Sequence, residues 1–421
     1  MRRDDRPQSA AGGARLALVL LTIVYALNFL DRQILGILLP LIKREFRFDD
    51  AELGLLGGLP FALFYATLAI PIAALSDRRS RVLILTVSLG LWSLMTAACG
   101  FARGFSGLFA ARVGVGVGEA GGVAPSYSLI ADLFPPAARA RALAVFSMGV
   151  PVGAAAGVFL GGEIGAAYGW RAAFWIVGGV GLAITPMLPL LLRDPPRGRF
   201  DAGRGTPVRF GAVLRHLARR PGFWLLALGA SANSMMGYGL ILWIPSLLVR
   251  SFGMTLPEAG RFYSALGLIG GVLGIWAGGV LGDRLGARRP EWLGRVPALA
   301  ALAAIPCYLA ALSLSGDRWV TFLMFLVPGA LALVWLGPIL SAVQAMCPAP
   351  MRATGNALFL LVNNLLGIAL GTWALGALSK WLAAAHGTDS LRLAILYALP
   401  LYLVAALFMW TGGSRLRRDM A

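Results

Sequence analysis

The sequence predicts an all-α membrane protein: twelve transmembrane helices arranged as two pseudo-symmetric six-helix bundles. Three observations carry this prediction. The 421 residues are 58% hydrophobic and only 13% charged, with a mean hydropathy of +0.76, whereas a soluble chain keeps about a quarter of its residues charged. Apolar runs of about 18 residues or more, each able to cross a hydrocarbon core as a helix, recur along the whole length. One longer polar interruption, 193–221, is rich in Arg, Pro and Gly and divides the chain into bundles 1–192 and 222–421.

The spans are expected at 16–40, 53–75, 82–102, 105–131, 141–163, 171–192, 222–249, 260–282, 296–315, 319–346, 354–379 and 393–411. The first has the basic flank and apolar run of a signal peptide, but it continues to about 25 residues and contains Asp31-Arg32, so it reads as a retained span. After the second span comes Asp77-Arg78-Arg79-Ser80-Arg81, and after the eighth comes Asp283-Arg284-Leu285-Gly286-Ala287-Arg288-Arg289. The two aspartates are 206 residues apart, at the same place in each half. Such an echo is the plan of a parallel-repeat transporter. The fifth span carries Gly149, Gly153, Gly157 and Gly161; the eighth carries Gly270, Gly274, Gly278 and Gly282. Each ladder bares one helix face for close approach of another helix, and a sliding seam between the two halves is the expected place for both.

Net charge is +18. With the N-terminus inside, 25 of the 37 Lys and Arg fall on its face of the membrane and 10 on the other. This positive-inside bias places both termini in the cytoplasm and explains the basic balance without nucleic acid. The richness in Arg, Ala and Gly points to a bacterial chain, for which the inner membrane is the expected location. Cys99, Cys307 and Cys347 are odd in number and inside spans, which suits packing rather than disulfides or a metal.

Four ionisable residues lie within the spans of the first half: Asp31, Arg32, Arg112 and Glu119. A charge near the midplane is unfavourable by at least ~3 kcal/mol and is seldom present without a use. Arg112 and Glu119 are seven residues apart and share a helix face. A rise of ~1.5 Å per residue leaves axial offsets of about 5 Å for Asp31–Arg112 and about 7 Å for Arg32–Glu119, both within reach of an Arg side chain. Protonating one carboxylate would release its Arg partner to attract an anionic solute. Glu119, nearest the midplane, is the expected proton carrier, because loss of water penalises its charged form most. In the second half, Asn233, Tyr238, Trp243, Trp276, Trp335, Asn356, Asn363 and Asn364 interrupt greasy spans. Together with Asn28 and Tyr127 of the first half, these residues, Trp276 apart, are the expected lining of a substrate cavity.

No enzyme site is visible. Gly116-Val117-Gly118-Glu119-Ala120-Gly121 matches a dinucleotide-binding pattern but lies inside an apolar span with no preceding strand. No HExxH, paired Cys cluster or lipase-type nucleophile elbow occurs, and His216 and His386 lie in loops. No cofactor is expected beyond a proton gradient, and a monomer is expected.

At these residues the chain resembles the major facilitator superfamily, and within it the Spinster (Spns) subfamily. The matching stretches are NFLDRQILG at 28–36, GVGEAGGVAPSYSLIADLFPPAARARALAVFSMGVPVGAAAG at 116–157 and RDPPRG at 193–198. The loop at Asp77 is similar to the superfamily's cytoplasmic signature, departing from it at Ala73 and Ser80; its copy at Asp283 fits better. The second half is similar only in hydropathy and length. The resemblance implies alternating access and proton-linked movement of a lysolipid or sphingoid-type lipid, with Asp31, Arg32, Arg112 and Glu119 as functional charges. It also implies a cytoplasmic gate of Asp77, Arg81, Asp132 and Arg139, with Asp283 and Arg284 in the second copy. A sugar-acid or organic-anion symporter would use the same arginines, and a transport-dead receptor or scaffold is the rival from another class.

Overall fold

The computed structural model describes residues 7–76, 78–200, 210–313, 317–348 and 351–420, and among them it contains helices and no strand. The first helices are α1 (Pro7–Phe46), α2 (Asp50–Ser76), α3 (Arg81–Cys99), α4 (Phe105–Glu119), α5 (Val123–Leu133), α6 (Pro136–Ser147), α7 (Gly149–Ile184) and α8 (Met187–Leu191). Then follow α9 (Phe210–Ala218), α10 (Pro221–Arg250), α11 (Leu256–Gly286), α12 (Trp292–Ser313), α13 (Arg318–Leu331) and α14 (Leu336–Ala345). The last are α15 (Arg352–Asn364), a π-helical turn (Leu365–Leu370), α16 (Gly371–His386), α17 (Ser390–Ala398) and α18 (Pro400–Asp419).

Among the described residues, nine helical runs are long and apolar enough to cross a membrane. One of them, Arg141–Leu191, has 51 residues, about 76 Å of helix, more than twice a ~30 Å hydrocarbon core. It folds back at Gly169, whose φ of 82° is left-handed backbone that glycine adopts readily. Thr354–Asp419 breaks in the same way at Gly387, φ 53°. A further expected span, 105–131, is interrupted after Glu119 and so falls outside the nine. The helices thus accommodate the twelve expected crossings.

Two compact units are present. One comprises Met1–Phe46 and Leu63–Arg204; the other comprises Arg47–Ala62 and Gly205–Ala421. This differs from a clean division at 193–221, because the first half of α2 groups with the second unit. Two glycines explain why. A Cβ on Gly54 would lie 2.9 Å from the Trp373 Cα, and one on Gly58 would run into the Ile368 carbonyl and the Thr372 hydroxyl. Asp50, buried at the start of α2, accepts two hydrogen bonds of 2.9 Å from Arg250 and one of 2.6 Å from Ser379.

The glycine ladders lie elsewhere than at the expected seam. A Cβ on Gly149 would lie 2.9 Å from the Thr22 carbonyl, while at Gly153, Gly157 and Gly161 it would strike Ala26, Leu30 and the side chains of Ile34 and Ile37. All these contacts belong to α1, in the same unit. Gly270, Gly274, Gly278 and Gly282 press against Leu326, Ala330, Val334 and Pro338, again within one unit. The spacing identified a close-packed face; the partner is a neighbour inside the bundle.

Candidate functional site

The first unit buries a cluster of charges. Asp31 (2% exposed), Arg112 (3%) and Glu119 (0%) are all withdrawn from solvent. Arg32, one residue further along α1, donates from Nε to Glu119 Oε2 at 2.7 Å. Its guanidinium lies over the rings of Phe29 and Tyr65, 4.8 and 4.9 Å from the centroids. Those faces supply partial negative charge to a guanidinium whose side chain is 18% exposed. Asn28, 2% exposed on the preceding turn, is buried with neither Nδ2 nor Oδ1 in a hydrogen bond among the described residues.

Asp31 takes a partner that the sequence reading does not name. Thr96 Oγ1 of α3 donates to Asp31 Oδ2 at 2.8 Å. The expected Asp31–Arg112 ion pair does not form; Arg112 acts on both Asp31 and Glu119 only through its field. Its Nε and Nη1 are buried without hydrogen-bond partners, as are Asp31 Oδ1 and Glu119 Oε1. Two carboxylates and two guanidiniums balance in charge, yet two Arg112 donor nitrogens and two carboxylate oxygens remain unspent. Such a cluster can exchange a proton or admit an anion with little other rearrangement.

The glycines of 114–122 serve this placement. A Cβ on Gly114 would lie 2.5 Å from Met95 Sδ, and one on Gly118 would lie 2.6 Å from the Trp92 backbone nitrogen. Gly121 faces the Ser88 hydroxyl. The pattern that resembles a dinucleotide loop is therefore the contact of α4 with α3. It draws Glu119, the last residue of α4, in beside α1 before the turn at Ala120–Gly122 breaks the helix.

A second cluster closes the opposite end of α3. Arg81 is 1% exposed. It donates to Asp132, to Asp194 Oδ1 at 2.8 Å, to Ser128 Oγ at 3.0 Å and to the Pro195 carbonyl at 2.6 Å, while its backbone N–H reaches Asp194 Oδ2 at 2.6 Å. Arg197 donates to the carbonyls of Ser76 and Arg79 at 2.9 and 2.6 Å. Gly198 N–H donates to Asp132 Oδ1 at 3.0 Å. Arg139 donates to the Ala131 carbonyl at 2.8 Å. Asp194 and Arg197 escaped the list of expected gate residues, although the RDPPRG stretch was the available signal. Partial burial opposes ionisation of Asp194, but the Arg81 hydrogen bonds and charge hold its carboxyl below the ordinary aspartate range. Asp77 lies outside the described residues. Asp283 and Arg284 are exposed and pair with nothing among the described residues, so this copy forms no such clamp.

Several residues of the expected cavity lining are engaged in helix packing. Trp243 is fully buried and donates to the Thr372 carbonyl at 2.9 Å. Asn233 donates to the Ala332 carbonyl at 3.0 Å, and Asn363 accepts from Ser234 at 2.9 Å. These three bind helices together, because an amide or indole inside a bundle finds its partner on the next helix. Trp335 is buried against Phe359, ring centroids 6.2 Å apart, and is likewise a packing residue. Tyr238, Asn356 and Asn364 are half-buried, Tyr127 is exposed at 41% and Trp276 at 66%.

The comparisons with known proteins agree with one another. Residues 21–372 match the model of the Major Facilitator Superfamily. The chain is 32% identical over 406 residues to an MFS-type efflux pump of Mycolicibacterium smegmatis, covering 96% of this chain and 94% of that one. It is 30% identical over 388 residues to protein spinster homolog 1 of Homo sapiens, covering 87% and 73%. A crystal structure of a bacterial homologue of the human lysosomal transporter Spinster, inward-facing and unoccupied, superposes with a TM-score of 0.89 at 31% identity, covering 97% and 98%. The chain is a multi-pass membrane transporter of the Major Facilitator Superfamily and belongs to its Spinster subfamily.

Proposed function

We propose that the protein is a proton-coupled secondary transporter of an amphipathic, anionic, lipid-like solute, of the lysophospholipid or sphingoid type, in a bacterial inner membrane. The observation that carries this reading is the buried cluster of Asp31, Arg32, Arg112 and Glu119, with one guanidinium left without hydrogen-bond partners on two of its nitrogens. Protonation of Glu119 releases Arg32 from its ion pair. Arg32 and Arg112 then face the anionic head of the solute, and deprotonation restores the resting pair. Arg32 already stacks on Phe29 and Tyr65, which offers an apolar body beside a charged tip and suits an amphiphile. The clamp at Arg81 works as the cytoplasmic gate of the first bundle, a reading supported by the positive-inside count, which favours cytoplasmic termini.

Flux in proteoliposomes tests the reading. Labelled lysophospholipid should move with an imposed pH gradient in wild type and lose that dependence in Glu119→Gln. Competition by unlabelled lysolipids, and none by uronates or simple carboxylates, is the expected specificity. Inhibition by the small acids alone would replace the lipid with a hydrophilic anion, and absence of any flux with correct insertion would favour a receptor.

A further inference from the structure

Away from the charge cluster, the second unit carries a recess of about 500 Å³ where α9 meets the end of α18. Arg215, His216, Arg219 and Arg220 line it from α9 and the turn that follows, and Arg418 and Asp419 line it from α18. Its single acid is committed elsewhere: Asp419 Oδ2 accepts the Gly222 N–H at 2.6 Å, at the start of α10. Arg215, Arg219 and Arg418 are exposed and have no ion-pair or hydrogen-bond partner among the described residues. Four guanidiniums thus share a concave site with one carboxylate already in use. Mutual repulsion holds such a site open until an anion enters.

The position of the recess identifies the source of the anion. Helix α9 is amphipathic: Val213 and Leu217, one turn apart, are fully buried, while Arg215 and Arg219, also one turn apart, face out. A hydrogen-bond contact of 3.1 Å between the His216 ring and the Met346 carbonyl fixes it against the end of α14. Immediately after it, α10 begins a 30-residue apolar run. A basic recess at the end of a membrane span lies at headgroup level, where phosphate is abundant and each Arg adds to anionic-lipid attraction. We propose that this recess binds the phosphate of an anionic membrane phospholipid, with Arg215, Arg219 and Arg418 as its ligands. Guanidinium forks suit phosphate oxygens in pairs, which a lysine cluster does not match.

Native mass spectrometry of the full-length, delipidated protein tests this with short-chain phosphatidylglycerol, phosphatidylcholine of the same chain length, and inorganic phosphate. Phosphatidylglycerol should bind wild type at least tenfold tighter than phosphatidylcholine. The triple variant Arg215→Gln/Arg219→Gln/Arg418→Gln should lose at least tenfold of that affinity. Arg418→Gln alone, at the exposed end of α18, should lose about threefold and covers the case in which the triple variant fails to fold. Arg288→Gln/Arg289→Gln, which removes two charges after α11, should leave the affinity unchanged. An equal loss in that control would make the effect diffuse electrostatics and overturn the site. Unchanged binding in Arg418→Gln would do the same, and inorganic phosphate binding as tightly as the lipid would replace the membrane by a soluble anion.

Discussion

Arg81 illustrates what a single residue carries in this fold. It is almost fully buried and satisfies two carboxylates, a hydroxyl and a carbonyl. Removing it leaves Asp132 and Asp194 without their cation, which is destabilising by about 3–5 kcal/mol for a buried pair. Arg81→Ala should therefore lower thermal stability strongly. The Asp194 carboxyl gives the pH dependence. Its folded-state value lies below the ordinary one, so its contribution is full above the ordinary range near pH ~4 and disappears as pH falls through the lower folded value. The difference in unfolding midpoint between wild type and Asp194→Asn should be constant at neutral pH and shrink only in acid. A difference that grew in acid would contradict the assignment. Thr96→Val should destabilise by about 1–3 kcal/mol, since Asp31 keeps its burial and loses its donor.

At the scale of elements, the glycine ladders set how closely helices approach. Gly153→Val drives a side chain into the Ala26 carbonyl of α1, and overpacking of this kind is unfavourable by about 1–3 kcal/mol or more. Gly179→Ala on the same helix, where a Cβ meets nothing within 4 Å, should be neutral. Expression and unfolding midpoints of the two variants check the contrast; equal behaviour would remove the ladder from the packing account. These ladders also show how far the sequence is legible. Four-residue spacing names the bare face of a helix but carries no information on which helix covers it, so Gly149–Gly161 on α1 and Gly270–Gly282 on α13–α14 were visible as faces and invisible as contacts. The same limit hid Thr96, two helices on from Asp31 in the chain's hydropathy pattern. It also turned Asn233, Trp243 and Asn363 into an expected lining, although each bonds a neighbouring helix. The apolar runs, by contrast, announced the membrane-length helices, because spans are set by length and hydropathy, whereas the short α9 at Phe210–Ala218 lies inside the polar interruption and was not announced.

For the whole molecule, the asymmetry of charge is the governing feature. The first unit holds buried ionic clusters at Glu119 and at Arg81, while the copied loop at Asp283 and Arg284 stays exposed and, among the described residues, unpaired. The echo between the halves was legible in sequence, but its divergence in use was not, because a motif records residue order and not the partners that Asp194, Pro195 and Arg197 supply. In the proposed cycle, the first bundle handles protons and the anionic head. The measurement that tests this most directly is the lumenal pH of dye-loaded proteoliposomes on addition of lysophospholipid, with no gradient imposed. The account predicts a solute-driven pH change in wild type that is absent in Glu119→Gln, with both proteins inserted equally. Lysolipid flux without any pH change in wild type would contradict proton coupling.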